Sequence, residues 1–185
     1  MLVTDWFTFA APTKTAGSWF VGAVEHAGVT FCENHGRYRM DTRPNLPSIT
    51  IRREPATWLR SYFCRVHKKV NIPAIDQFAD LRNGPETFED YALRYIDTML
   101  GAVDEMFDCW QSDYTLRTDS VASDAVKALA SIGVPCDMSI ILNEPHCNRG
   151  KNLPDIPTAL REAINGRSNS APTLSRGSIS QRSMQ

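Results

Sequence analysis

Two short stretches of this chain carry the residue types that hold an anion. The first is Pro12-Thr13-Lys14-Thr15-Ala16-Gly17-Ser18-Trp19. It brings together one cation, hydroxyls, a glycine that frees the backbone and the unpaired N–H groups of a helix start, which are the components of a phosphate cradle. The second is Arg52-Arg53-Glu54-Pro55, with Ser61 eight residues beyond Arg53. A guanidinium offers phosphate a planar fork of donors, and helical side chains lean toward the N-terminus, so Ser61 is expected to point back at an anion held by Arg53. Arg52 alternates with Arg53 on its strand and reads as a solvated neighbour.

The first stretch is not a Walker A loop, because its glycine follows the lysine and no G-x-x-x-x-G-K-S/T pattern occurs. That disfavours ordinary ATP-driven phosphoryl transfer. A group transfer to a hydroxyl needs a base near neutral pKa, which directs attention to the four histidines. His35 lies in Asn34-His35-Gly36-Arg37-Tyr38, between the expected second and third strands, where it is a base or a loop histidine bonded to the backbone. His26 falls at a helix end, where a cation favours the dipole. His67 lies in a basic helix end, and His146-Cys147 lacks the spaced partners a zinc site requires.

Elements of the right kind must position these turns. Trp6 to Ala10 reads as a strand closed by Pro12, and residues from Gly17 or Ser18 to about His26 as a helix ended by Gly28. Val29 to Cys32 is expected as a second strand and Ser48 to Arg52 as a third. Glu54-Pro55 then opens a helix with Trp58, Leu59, Tyr62, Phe63 and Val66 on one face. Glu86 to Leu100 is a further helix, Tyr114 to Arg117 a late strand, and Asp124 to Ile132 a helix capped by Ser120 or Ser123 and stopped at Gly133. Strands alternating with helices imply an α/β fold with a parallel sheet covered on both faces, whose ligands sit beyond the carboxyl ends of the strands.

The 185 residues, 42% apolar and 22% charged, suffice for one principal domain, expected over residues 1–166. Residues 167–185 hold three Arg, no acid and many Ser, the composition of a disordered tail. Without them, 17 basic and 21 acidic residues leave a body of net −4. Its overall field repels anions, so nucleic acid and acidic membrane are excluded as bulk partners and any anion must be gripped locally. No apolar run approaches the roughly twenty residues of a membrane span, and no secretory leader is apparent. Five cysteines without a C-x-x-C pair fit reduced thiols in a cytoplasmic protein.

The two turns together resemble those of the sulfotransferases that use 3′-phosphoadenosine 5′-phosphosulfate (PAPS). Lys14 to Trp19 is similar to their 5′-phosphosulfate loop, commonly P-K-S/T-A/G-G/S/T-S/T-W/S. Arg53-x-Pro55 followed by Ser61-Tyr62 is similar to their 3′-phosphate motif, R-D/N-P-x-x-x-x-x-S-x-Y/F. Thr87-Phe88-Glu89-Asp90-Tyr91 resembles the helix start T-F-E-E-F of bacterial and Golgi carbohydrate-type members, and Tyr114 to Asp119 occupies the place of a v-l-R-f-E-d-L strand. The resemblance spans Val3 to about Ile164, with departures at Thr13, at Glu54 and at Thr118-Asp119.

The resemblance implies a three-layer fold like that of P-loop NTPases and transfer of a sulfuryl group from PAPS, leaving PAP, to a carbohydrate or other small acceptor, with no metal. It implies that Lys14 stabilises the leaving oxygen, that Thr15, Ala16, Gly17, Ser18 and Trp19 bind the 5′-phosphate, and that Arg53 and Ser61 bind the 3′-phosphate. His35 corresponds to a segment that supplies a catalytic histidine in carbohydrate-type members, and Arg149 and Lys151 to a late basic loop that contacts the nucleotide. Trp19 has a second reading as a core aromatic, and Arg149 and Lys151 a second reading as a hydrophilic loop. A noncatalytic protein that keeps the nucleotide pocket is the alternative function. A small nucleotide kinase is a third, weakened by the missing Walker A loop.

Overall fold

A computed structural model describes residues 2–12, 14–34, 45–68, 87–98, 112–145 and 153–168. The elements run β1 (Leu2–Val3), β2 (Thr8–Phe9), α1 (Gly17–His26), β3 (Glu33–Asn34), β4 (Ser48–Arg52), α2 (Pro55–Lys68), α3 (Phe88–Thr98), β5 (Tyr114–Arg117), α4 (Val121–Ile132), α5 (Met138–Asn143) and α6 (Thr158–Ser168). The fold is α/β. Among the described residues five strands form one sheet in the order β3-β1-β2-β4-β5.

The sheet is mixed rather than wholly parallel. β2, β4 and β5 run parallel, with Phe9 opposite Ile49 and Ile51 opposite Leu116. β1 is antiparallel to both β2 and β3. The strand expected at 29–32 instead begins at Glu33, because Val29 is committed to ending α1. Its N–H reaches back to the Val24 carbonyl while that of Gly28, at φ 95°, reaches Glu25. This is the paired closure that a left-handed glycine makes possible. Cys32 then donates its N–H to the Val3 carbonyl and carries the chain onto β1.

β4 alternates as a covered strand should. Ile49 and Ile51 enter a core with Phe9 of β2, Trp19, Phe20, Ala23 and Val24 of α1, Leu116 of β5, and apolar side chains of α4 and α5. Thr50 points to the opposite face and is also buried, so the sheet is covered on both sides. At the start of β4, Asp113 Oδ2 accepts from both the N–H and the hydroxyl of Ser48 at 2.8 Å, which fixes the β4–β5 register. Buried Phe20 meets Phe7 edge-on at 6.2 Å and Phe9 at a tilt of 32° and 4.4 Å between centroids, which anchors β2 beneath α1.

A second apolar cluster joins α2, α3 and α6 through Trp58, Leu59, Phe63, Phe88, Tyr91 and Ile164. Proline at the first position of α2 loses no hydrogen bond there and starts the helix. α4 begins three residues earlier than expected. Ser120 stands at its N-cap but donates its hydroxyl to Asp124 Oδ2 at 2.6 Å rather than accepting a backbone N–H. α6 continues through Arg167 and Ser168, past the expected domain end, and residues 169–185 lie outside the described residues.

His26, at the end of α1, is tied to Glu144 beyond α5 by a 3.0 Å Nδ1–Oε2 contact. That hydrogen bond, then the carboxylate's charge, raises the imidazole pKa above its usual value. A group whose folded pKa is raised stabilises the fold below its unfolded pKa and loses that contribution as pH rises through the folded value. The urea midpoint of the protein is therefore expected to fall slightly from about pH 6 to about pH 8, and Glu144→Gln to flatten that fall. Identical slopes for the two proteins would remove the link.

Candidate functional site

The carboxyl ends of the three parallel strands converge on one corner, and each contributes a piece of it. After β2 the chain enters the lysine turn, where Lys14 and Ala16 both adopt left-handed backbone at φ 69°. Side chains with a Cβ resist that conformation, so two such residues in three mark a turn held in place by its surroundings. Thr15 lies between them, fully buried, and its hydroxyl donates to the Pro12 carbonyl at 2.6 Å. Ala16 forms the N-cap of α1 with no side-chain cap, so the helix presents its first N–H groups and its positive dipole end to the turn. Ser18 is exposed there.

The second piece follows β4. Arg53 turns its guanidinium toward the lysine turn, with Nη1 donating to the Lys14 carbonyl at 2.9 Å and Nε to Thr57 Oγ1 at 3.3 Å. Among the described residues it meets no carboxylate. Burial, and then the nearby Arg60, hold its pKa below the usual arginine value, with Glu54 opposing. Two guanidiniums close enough to feel each other in partly buried surroundings make a local positive potential inside an acidic body. Arg60 Nη1 donates to the Pro154 carbonyl at 3.2 Å, while its Nε is buried without a hydrogen-bond partner among the described residues. Ser61 is half-buried on α2, one turn beyond Thr57 and on the same helical face.

Glu54, which stands where the resembled motif has Asp or Asn, faces away from the turn. Its Oε1 accepts from Asn165 Nδ2 at 2.7 Å, and Asn165 Oδ1 accepts the Ala56 N–H at 3.3 Å. The pair caps α2 and moors it to α6. The third piece is Thr118 after β5. Its hydroxyl donates to the Arg52 carbonyl at 3.0 Å and lies 3.4 Å from the Thr15 carbonyl. Asp119 is engaged by a two-pronged contact with Arg117 and stays exposed.

The corner thus unites Lys14, Gly17, Ser18 and Arg53, with Ser61 on the adjoining helix face. Two predicted ligands turn inward. The Thr15 hydroxyl closes the turn, and the Trp19 ring is 2% exposed in the core with Nε1 donating to the Glu144 carbonyl at 3.3 Å. Only their backbone is left for an anion. Arg52 ends β4 exposed. Thr13, His35, His146, Cys147, Arg149 and Lys151 lie outside the described residues. Among the described residues, no three His, Cys, Asp or Glu side chains gather as metal ligands, and no helix is long and apolar enough to cross a membrane.

Thr57 and Arg60 were not singled out by the sequence reading. A helical signal existed for Thr57, four residues after Arg53 at the start of α2. None existed for Arg60, whose role depends on α2 lying beside Pro154. A cavity of about 580 Å3 opens next to Lys14 along α1, and neither Arg53 nor Ser61 lines it. Comparison with protein-family models, with curated proteins and with solved structures returns no match.

Proposed function

We propose that this chain is a cytoplasmic sulfotransferase that moves a sulfuryl group from PAPS to an acceptor hydroxyl, on a three-layer scaffold like that of P-loop NTPases. The observation that carries the reading is the hydrogen bond from Arg53 to the Lys14 carbonyl, which brings the two anion-binding turns to one corner. Two phosphate groups of one nucleotide can then be served by neighbouring cations. The residues fit such a ligand: an uncapped helix start, a strained turn with a lysine, and a partly buried guanidinium that bonds to no carboxylate among the described residues.

When bound, PAPS supplies a sulfuryl group whose bond to the bridging oxygen breaks as the acceptor oxygen bonds to sulfur, leaving PAP and one proton. Lys14 opposes the charge that grows on that bridging oxygen, which lowers the barrier. The N–H groups at the start of α1 and the Ser18 hydroxyl hold the 5′-phosphate. Arg53 and Ser61 hold the 3′-phosphate, and Arg60 adds to the potential there. Thr15 and Trp19 keep the turn rigid, and His35 takes the acceptor proton.

Isothermal titration with PAP is expected to give one site of about micromolar affinity, and labelled sulfate is expected to pass from PAPS to a member of an acceptor panel. Absence of PAP binding would overturn the reading. Binding without transfer would favour the noncatalytic alternative.

A further inference from the structure

The cavity beside Lys14 shares Lys14, Gly17 and Ser18 with the proposed donor site but runs on along α1 past Val21 and Gly22 to Glu25, which the donor reading leaves without a role. Its walls include the apolar side chains of Leu2, Phe9, Ala11 and Val21 beside Gly17, Ser18 and Gly22. Its two ends are charged: Lys14 at one, and at the other Glu25, eight residues beyond Gly17 on α1 and therefore about 12 Å along the helix axis. The cavity face of α1 runs through Gly17, Ser18, Val21, Gly22 and Glu25, while Trp19, Phe20, Ala23 and Val24 fill the core on the other face.

Gly22 is the telling position. Glycine within a helix costs about 1 kcal/mol relative to alanine, so it needs a reason. A Cβ built there meets nothing within 4 Å among the described residues, and the backbone is ordinary helix, so neither packing nor conformation demands glycine. What its missing side chain does is leave the cavity wall open between the two charged ends.

Resting on the sulfotransferase reading, we infer that this cavity is the acceptor pocket, and that the acceptor is a small amphipathic molecule with a nucleophilic hydroxyl at one end, an apolar middle and a cationic group at the other, received by Glu25. A polyhydroxylated sugar would gain less from Leu2, Phe9 and Val21 than an apolar chain does, and nothing from the Glu25 charge. The hydroxyl sits by Lys14, its oxygen bonds to sulfur as the bond from sulfur to the bridging oxygen breaks, and its proton leaves to the base. The cationic end keeps its proton because the Glu25 carboxylate faces it.

The test compares 6-amino-1-hexanol, 1-hexanol, 6-hydroxyhexanoate and N-acetylglucosamine as acceptors of labelled sulfate, with calorimetric binding of each to the PAP-bound protein. The amino alcohol is expected to bind and react about five- to tenfold better than hexanol, and the carboxylate worst. Glu25→Gln is expected to remove the amino alcohol's advantage, and Glu25→Lys to reverse the order of amine and carboxylate. Gly22→Leu is expected to lower acceptor binding at least about tenfold with PAP binding retained, and Gly22→Ala, which favours the helix, provides a milder filling if the leucine variant does not fold. Equal use of the three alcohols, a preference for the sugar, or indifference to the Gly22 variants, each with normal PAP binding, would overturn this inference alone. Loss of PAP binding in the unaltered protein would instead overturn the donor reading beneath it.

Discussion

Lys14→Ala is expected to lower sulfuryl transfer by about 10²- to 10³-fold while changing PAP affinity less than about tenfold. The asymmetry follows from where charge appears. The bridging oxygen becomes an anion only as its bond to sulfur breaks, so a cation aimed there contributes mainly in the transition state. The phosphate groups of PAP are charged throughout and, on the proposed reading, would have other partners at the start of α1 and at Arg53. The substitution is structurally mild, because alanine carries the same Cβ into the left-handed backbone that lysine already adopts at φ 69°. Single-turnover transfer and PAP titration on the same preparation check it. Equal losses in both would make Lys14 a binding residue only.

Arg53→Ala is expected to act on both quantities. It removes the fork proposed to meet the 3′-phosphate, which should weaken PAP binding by about 10- to 100-fold. It also removes the donor to the Lys14 carbonyl, so the turn loses the contact that fixes its approach to α2. Turnover at saturating donor should therefore fall as well, unlike the effect of a residue that only binds. Arg53→Lys should recover little, because one ammonium cannot serve Lys14, Thr57 and a phosphate together as a planar five-donor group does. Full recovery by lysine would show that charge alone is required at this position.

The parts of the molecule legible in the sequence are those decided locally. Ser48 to Arg52 alternates apolar and polar residues between turn signals and forms β4 over that span. Pro55 and Gly28 set the start of α2 and the end of α1 through backbone constraints that need no distant partner. β1 has only two residues, too few for periodicity to register, and with it went the antiparallel edge of the sheet. α5, six residues long, was missed for the same reason. At the site, the sequence marked the two turns but not their engagement. The Thr15 hydroxyl was available in either direction, and only the approach of Pro12 decides that it closes the turn. Glu54 reads only as a departure from the Asp or Asn of the resembled motif, and its side chain reaches Asn165 on α6, more than a hundred residues away.

Thr118 has a thermodynamic corollary. By holding the carbonyls of Thr15 and Arg52 it closes a ring whose members are separated by 103 and 66 positions along the chain. Such a ring joins stretches that are distant in the chain, so closing it costs the entropy of long loops. Occupancy is then coupled to the cohesion of the whole sheet rather than to a surface turn. A nucleotide at a hundred times its dissociation constant would add about 2.7 kcal/mol to the free energy of global unfolding.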